Sequence, residues 1–259
     1  MNNLYKDIFT RQSCRRYSLE KLNQNLLDNI NDKLDDLNTI HNTNLNINLV
    51  EKYDINSMLD GYIGNIGKID APYYLILSNE ETKKGYIDTG YSGELVLLYL
   101  KSLGLGSCWI GANFSSEKIK KQFGISNKVL SLISFGKPNG NLDRDPSNAK
   151  RKDIGDILIN QEIQEKFQPI IETIRLAPSA INNQPWRVLI DKRDISLYLA
   201  NPNVVKKIVL KNLNYIDMGI AIKHLEIALN YFEYDFEIVK KAQKELKDLS
   251  HILTFRLKE

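Results

Sequence analysis

The sequence has few cysteines and few histidines. Cys14 and Cys108 are too few for a disulfide framework or a structural zinc site. We therefore expect two free thiols. A catalytic thiol is the alternative, although no histidine accompanies either cysteine in the sequence. The histidines, His41, His224 and His251, have no metal-ligand spacing, so no metal site is predicted.

Long apolar runs are also missing. No window reaches the run of about 18 apolar residues that a membrane-spanning helix needs. The first residues, MNNLYKDIFTRQSCRRY, lack the apolar region of a signal peptide. We therefore expect a cytosolic, cytoplasmic protein that has no membrane partner.

Neither sign of charge dominates the chain. The 35 lysines and arginines and 32 acidic residues leave a formal charge of +3, which is too balanced to predict a nucleic-acid partner. A content of 42% hydrophobic and 26% charged residues excludes a disordered or fibrous chain. The 259 residues suffice for one large domain or two small ones.

Hydrophobic patterns predict helices that alternate with short strands. Helical spacing covers residues 21–37, 85–103, 163–176 and 215–231. Strands are predicted in the segments PYYLIL, GSCWIG, VLSLISFG, WRVLID and ISLYL. This alternation indicates an α/β or α+β layered fold. A polar, turn-rich segment that starts at Asn139 predicts two halves, residues 1–150 and 151–259.

The second half repeats features of the first. APYYLIL precedes a helix that contains D-x-G at Asp88 and Gly90, and QPWRVLI precedes a helix that contains D-x-G at Asp217 and Gly219. The offset, 217 − 88 = 129, is close to half of the chain. Two tandem copies of one fold pack most simply as a pseudo-dimer. Coincidence between two layered segments is the alternative.

A basic motif lies near the start of the chain. Arg11, Ser13 and Arg15 alternate in R-x-S-x-R-x-Y, so an extended chain would place them on one side. A guanidinium donates in a rigid fork to phosphate or carbonyl oxygens. The motif therefore predicts an edge that binds an anion and a polyol, and a solvated basic segment is the alternative.

An amide-rich motif follows in the second half, in the segment APSAINNQPWRV, residues 177–188. Its Ser179, Asn182 and Gln184 are neutral hydrogen-bonding side chains in a turn bounded by two prolines. Such a turn can hold the hydroxyls and ring edge of a ligand without adding charge. The alternative is a helix C-terminus that is followed by an asparagine-rich turn.

Together, R-x-S-x-R-x-Y and P-S-x-x-N-x-Q-P-W resemble the paired signature of the FMN-dependent nitroreductase superfamily. In that family the two motifs of one flavin site come from different subunits of a homodimer. This chain has the first motif only in its first half, and where a first-half copy of the second is expected it reads NIGKIDAPY. The resemblance, to the fused single-chain branch, implies an α+β fold with three α/β/α layers. It also implies two degenerate tandem copies, one complete site per chain and a monomer that could associate further.

The resemblance implies flavin contacts from four segments. They are both motifs, GLGSCWIG, and a basic cluster whose three members the resemblance does not separate. GLGSCWIG is not a dinucleotide fingerprint, because G-x-G-x-x-G requires glycine at position 109. The implied cofactor-binding residues are Arg11, Ser13, Arg15, Trp109, Ile110, Gly111, Lys150, Arg151, Lys152, Pro178, Ser179, Ala180, Asn182 and Gln184.

The resemblance implies an oxidoreductase that uses FMN, with NAD(P)H as co-substrate. Hydride would pass through flavin N5 to a small electron acceptor such as a nitroaromatic or a quinone, and Arg15 is the candidate cation near the pyrimidine edge. No catalytic side chain is expected. The alternatives are a non-catalytic flavin-binding or flavin-storage protein and a degenerate scaffold for protein contacts. Loops 54–70 and 201–214 are expected to line the substrate side, or to be ordinary surface loops.

Overall fold

The chain forms two compact units. The first unit is Thr10–Arg144, and the second unit consists of Met1–Phe9 and Asp145–Glu259. The N-terminal helix therefore belongs with the C-terminal part of the chain, whereas the predicted halves, 1–150 and 151–259, follow chain order. The computed structural model describes residues 2–59, 69–112, 114–160, 163–200, 204–240 and 246–258, with only the backbone at 2–3 and 204–211.

Eight α-helices lie in the described residues, and five of them have nine residues or fewer. The helices are α1 (Asn2–Thr10), α2 (Gln24–Asp35), α3 (Lys52–Ile55), α4 (Lys83–Ser102), α5 (Ser116–Phe123), α6 (Ile154–Ile157), α7 (Gln168–Leu176) and α8 (Val204–Tyr231). Side-chain caps begin several of them: Thr82 accepts a hydrogen bond from Gly85 N at the start of α4, and Asn23 accepts one from Leu26 N at α2.

Each unit has one four-stranded antiparallel sheet among its described residues. The strands are β1 (Asn46–Glu51), β2 (Tyr73–Asn79), β3 (Gly106–Ile110), β4 (Lys128–Gly136), β5 (Trp186–Asp191), β6 (Asp194–Ala200), β7 (Phe236–Val239) and β8 (Leu249–Leu257). The strand order is β1-β2-β4-β3 in the first unit and β5-β6-β8-β7 in the second.

The first sheet is the middle layer of its unit. Every residue of β2 is buried, as a strand covered on both faces requires. Tyr74 and Ile76 pack into one apolar cluster, with Ile119 of α5. Tyr73, Leu75 and Leu77 pack into the opposite cluster with the apolar side chains of α4 and α2. The predicted α+β layering is confirmed.

The predicted elements are largely present, and the sequence missed others. All five predicted strand segments form strands, whereas β1, β7 and β8 were not predicted. The helix predicted from residue 163 begins at Gln168, after a 3₁₀ turn at Glu165–Phe167. The predicted loop 201–214 is wrong from Val204 onwards, because α8 begins there. Its first residues, 201–203, and residues 60–68 of the other predicted loop lie outside the described residues.

Both sheets share one topology, and this topology aligns the two halves differently from the alignment predicted from the sequence. A register shift interrupts β2 against β4 at Leu77/Ser78, and β6 against β8 at Leu197/Tyr198. A long helix follows both β2 and β6. QPWRVLI contains β5, which takes the place of β1 in this topology, so its pairing with APYYLIL is wrong. Apolar runs of similar length do not reveal their order in a sheet.

In the corrected alignment, the segment of the first half that corresponds to the amide-rich motif is a different one from the segment predicted. The segment before β1 is NTIHNTNLN, residues 38–46, and it precedes β1 as PSAINNQPW, residues 178–186, precedes β5. NIGKIDAPY, residues 65–73, precedes β2 instead, and its residues 65–68 lie outside the described residues. No helix in the described ranges is long and apolar enough to cross a membrane.

Candidate functional site

The basic motif covers the outer edge of the first sheet. β3 is an edge strand, and Ser13 forms a parallel bridge with Ser107 on it. Cys14 N donates to the carbonyl of Ser107 at 2.9 Å, and Arg11 bridges Asp143 in the antiparallel sense. The chain is therefore extended across the motif, as its alternation predicts, and this segment covers backbone groups that an edge strand would leave open.

Arg11 lies inside the first unit rather than on its surface. Its side chain is 6% exposed, and its Nε is 3.8 Å from Oε1 of the fully buried Glu94. Glu94 Oε2 accepts a hydrogen bond from Trp109 Nε1 at 2.9 Å. Nη1 of Arg11 is buried and has no hydrogen-bond partner among the described residues. Sequence reasoning missed Glu94, because it lies within α4 and no motif surrounds it.

The two arginines of the motif lie beside the thiol of Cys108. Burial raises the pKa of Cys108, while the charges of Arg15 and Arg11 and a hydrogen bond with Ser13 act to lower it. Burial likewise raises the pKa of Cys14. Raised thiol pKa values do not favour a nucleophile. The structure therefore brings Arg11, Ser13 and Arg15 together next to β3, with Arg15 exposed.

The side chains of β3 point into opposite layers. A methyl group at Gly93 of α4 would overlap the ring of Trp109, so the indole packs tightly on that helix. Ile110 belongs to the apolar cluster on the other face. This leaves backbone and the edge of β3, including Gly111 just beyond it, as the parts that could meet a ligand. That these residues contact a flavin stays a prediction.

The amide-rich turn in the second unit has a strained backbone. Ile181, Asn182 and Gln184 have φ values of 47°, 58° and 49°. Asparagine tolerates this left-handed region, whereas a β-branched residue such as isoleucine is an outlier there. Ile181 is also 77% exposed. Strain of this kind is stored at functional sites more often than elsewhere, which favours the turn as part of a site.

Gln184 shapes this turn from within. Its Oε1 accepts a hydrogen bond from Lys152 N at 2.8 Å, and its carbonyl accepts one from Lys152 Nζ at 3.1 Å. Its own N donates to Ser179 Oγ at 2.9 Å. Gln184 is buried, so its polar atoms stabilise the turn rather than reach outward. Pro178 and Ala180 belong to the same turn, which connects α7 to β5.

The basic cluster contacts the amide-rich turn, which the sequence did not predict. Arg151 Nη1 donates to Asn182 Oδ1 at 3.1 Å, and its Nη2 donates to the carbonyl of Leu176 at 3.2 Å. Asn182 Nδ2 donates to the carbonyl of Lys150 at 2.9 Å. The ammonium group of Lys150 is exposed and has no partner in the described part of the chain. Lys150, Arg151, Lys152 and the turn thus form one group in the second unit.

An aspartate of α8 holds the same turn from the inside. Asp217 Oδ1 accepts a hydrogen bond from Ala180 N at 3.0 Å. Its Oδ2 is buried without a hydrogen-bond partner among the described residues. Burial raises the pKa of Asp217 to about 8, although the Ala180 hydrogen bond acts to lower it. The D-x-G motif was visible in the sequence, but nothing there connected it to the turn.

Comparison with known protein families identifies the family of this chain. Residues 3–229 match the model of a family described as "Putative TM nitroreductase". The chain belongs to this nitroreductase family. The match confirms the resemblance drawn from the two motifs, and it makes the protein an oxidoreductase in general class. None of the curated proteins matches the sequence.

Solved structures of other proteins share the fold of this chain. A "putative nitroreductase" from Thermotoga maritima has a TM-score of 0.69 and 22% identity, covering 98% of this chain and 94% of that one. A nitroreductase family protein from Clostridium difficile has a TM-score of 0.50 and 18% identity, covering 63% of this chain and 100% of that one. A "Putative NADH dehydrogenase/NAD(P)H nitroreductase" from Bacteroides thetaiotaomicron has a TM-score of 0.50 and 20% identity, covering 62% and 99%.

The candidate site residues fall into two groups. One contains the basic motif and β3 in the first unit, and the other contains the basic cluster and the amide-rich turn in the second. That the two groups line one site stays a prediction. Among the described residues, no group of three or more His, Cys, Asp and Glu side chains could hold a metal ion.

Proposed function

We propose that this nitroreductase binds FMN and transfers hydride from NAD(P)H to a small electron acceptor such as a nitroaromatic or a quinone. The basic motif and the amide-rich turn would both contact one FMN in each chain. The proposal rests on one observation above all. Each of the two family motifs forms, with its neighbours, a polar group whose donors suit a different part of this cofactor.

The donors of the first unit suit the flavin ring and ribityl chain. Arg15 offers an exposed guanidinium, and Ser13 offers a hydroxyl on the same extended segment. Arg11 supplies a buried Nη1 without a hydrogen-bond partner among the described residues, as expected of a donor that awaits a ligand. Arg15 places positive charge where negative charge would develop on the reduced pyrimidine edge, which favours the reduced cofactor.

The donors of the second unit suit the phosphate and the ring edge. Arg151 and Lys152 both donate to the turn itself. Lys150 is the member of the basic cluster whose ammonium group has no partner in the described ranges, so we assign the phosphate to Lys150. Ser179 and Asn182 supply neutral polar groups beside it.

FMN, when bound, would supply two-electron redox chemistry at N5, and the protein would bind and orient it. The raised pKa values of Cys14 and Cys108 keep both thiols protonated at neutral pH. No side-chain nucleophile is needed for such a reaction. The task of the chain is then to position the cofactor and to exclude water from its reactive face.

The test is a fluorescence titration of purified protein with FMN. Binding is expected to quench flavin fluorescence, and Arg11→Ala and Asn182→Ala are each expected to weaken it at least about 10-fold, since each loses about 1.4 kcal/mol or more of polar contact. Arg16→Ala is the matched control, because Arg16 is exposed and outside the alternation of the motif. No binding at micromolar FMN would remove the proposal, and an effect of only one variant would remove the two-unit site.

Turnover separates the enzyme from a flavin-storage protein. NAD(P)H oxidation in the presence of a nitroaromatic or quinone is expected to follow FMN loading. A chain that binds FMN but leaves NAD(P)H unoxidised with every acceptor of these classes would be a flavin carrier instead.

A further inference from the structure

Each unit holds one turn against its long helix through an aspartate. Asp88 of α4 accepts a hydrogen bond from Ile40 N at 3.2 Å, and Asp217 of α8 accepts one from Ala180 N at 3.0 Å. Both aspartates begin a D-x-G sequence. An asparagine with positive φ lies two residues after each held amide, Asn42 at 55° and Asn182 at 58°. The same device therefore occurs in both units.

In the first unit the aspartate is saturated with donors. Asp88 also accepts from His41 N at 3.1 Å, from Thr43 Oγ1 at 2.8 Å, and pairs with His41 Nδ1 at 2.9 Å. Burial acts to raise the pKa of Asp88, but the hydrogen bonds of His41 and Thr43 outweigh it and leave the pKa below its ordinary value. Asp88 is thus an ionised group whose hydrogen bonds stabilise the turn that contains Ile40, His41 and Thr43.

In the second unit the same partners are missing. Ile181 and Asn183 stand where the first unit has His41 and Thr43. Ile181 has no polar side-chain atom, and Asn183 Nδ2 donates to Asn214 Oδ1 at 3.1 Å. Asp217 is 2% exposed and keeps the Ala180 N–H as its one hydrogen-bond partner among the described residues.

Asp217 consequently acts through a hydrogen bond and not through charge. Its pKa of about 8 leaves the carboxyl protonated at neutral pH. Burial and the Ala180 hydrogen bond set this value. The raised pKa of Asp217 does not come from the charged and titratable groups on the surrounding elements. These groups are Glu172 and Arg175 on α7, His224 on α8, and Arg151 and Lys152 beside the turn.

We propose that Asp217 is the positioning residue of the amide-rich turn: through the Ala180 N–H it holds Ser179–Gln184 in the conformation that receives the cofactor. The identity of that cofactor rests on the proposed function. Asn182 follows Ala180 by two residues and binds both Lys150 and Arg151. A shift of Ala180 therefore moves the amide of Asn182 and the basic cluster together. The φ of Ile181 is strained, so the turn is expected to change conformation when the hydrogen bond between Asp217 and Ala180 is lost.

The test compares Asp217→Asn with Asp217→Leu in the full chain. Asparagine keeps an acceptor for Ala180 N–H and carries no charge, whereas leucine fills similar volume and accepts no hydrogen bond. Amide hydrogen exchange of the peptide that spans residues 178–185 is measured without cofactor, and FMN affinity is measured by fluorescence. Asp217→Ala replaces the leucine variant if that variant does not fold.

Exchange in the turn is expected to accelerate at least about 10-fold in Asp217→Leu, and FMN affinity to fall by a similar factor, while Asp217→Asn behaves as the wild type. Asp88→Asn is the matched control, and it should leave exchange at 178–185 unchanged. Wild-type exchange in Asp217→Leu, or equal acceleration in the leucine and asparagine variants, would overturn the proposal. If the turn responds as expected but the wild type binds no FMN, the proposed function fails and the positioning role of Asp217 stands.

Discussion

The two aspartate-held turns have the same place in the fold and opposite chemistry. In the first unit, Asp88 is ionised and receives hydrogen bonds from Ile40, His41 and Thr43. In the second unit, Asp217 is protonated and receives a bond from Ala180. The first turn is well bonded and carries one positive φ, whereas the second is strained and sits beside the basic cluster. A shared topology therefore does not impose a shared site.

The long helices differ in the same way. Six residues after Asp88, α4 carries the buried Glu94, which contacts Arg11 and Trp109. Six residues after Asp217, α8 carries Lys223, which pairs with Glu226 on its own helix. In the first unit the helix supports the basic motif of the candidate site. The long helix of the first unit thus supports the basic motif, and the long helix of the second unit supports the amide-rich turn.

The largest expected effect comes from removing the saturated aspartate. Asp88→Ala leaves the backbone N–H groups of Ile40 and His41 and the hydroxyl of Thr43 without their acceptor. We expect a loss of about 3–5 kcal/mol in the free energy of unfolding. Urea unfolding followed by circular dichroism measures it.

Asp28→Ala is the control for this change, because Asp28 is exposed on α2 and bonds only Gln24 among the described residues. It should change stability by less than about 0.5 kcal/mol. A loss for Asp88→Ala as small as that of the control would show that the hydrogen bonds to Asp88 do not stabilise the first turn.

An effect of comparable size and opposite sign is expected at Asp217. The pKa of its carboxyl is about 8 in the folded chain and near its ordinary value of 3.8 when the chain is unfolded. Between these values the unfolded chain binds fewer protons, so wild-type stability falls as pH rises from about 4 to about 8. Asp217→Asn does not titrate. Its Tm should therefore exceed that of the wild type by a growing margin, on the order of 10 °C at pH 8.

Thermal unfolding from pH 4 to pH 9 tests this expectation. Asp235→Asn is the control in the same unit, because Asp235 is exposed. Parallel curves for the wild type and Asp217→Asn would mean that Asp217 keeps an ordinary pKa. Asp88 has the opposite response, since its lowered pKa makes its stabilisation disappear only as acid protonates it below about pH 4.

The smallest expected effect concerns backbone strain in the second turn. Ile181→Gly removes a β-branched residue at a φ of 47° and should stabilise the chain by about 0.5–1 kcal/mol. Asn42→Gly is the matched change in the first turn, and its gain should be smaller because asparagine tolerates positive φ. Denaturant unfolding of both variants compares them. A loss of stability in Ile181→Gly would show that the backbone at Ile181 is not strained.

The sequence predicted strands best where apolar residues run without interruption. β2 and β4, buried on both faces, were found from such runs. β1 and β7 lie at sheet edges and contain alternating polar residues, so their patterns are weaker. β8 is an inner strand that was missed, because Ser250, His251, Thr254 and Arg256 interrupt its apolar residues.

The candidate site was predicted in its residue types and not in its contacts. The alternation of Arg11 and Arg15 predicted an extended basic edge, which the bridge between Ser13 and Ser107 of β3 supports. The contact of Arg151 with Asn182 joins residues 31 positions apart, and no local pattern reports it. Glu94 is buried in a helix, where its partner Arg11 comes from a separate segment.

The sequence by itself determined the layered fold, the family and the identity of the polar motifs, because these depend on local periodicity and on residue types at fixed spacing. It also supplied the D-x-G pattern in both halves. Only the tertiary structure decided that Asp88 is ionised and Asp217 is not. Burial raises the pKa of both carboxyls, and His41 and Thr43 outweigh it at Asp88 whereas the Ala180 N–H alone does not at Asp217. The pKa of a buried carboxyl depends on the groups packed around it, and folding alone brings those groups to it.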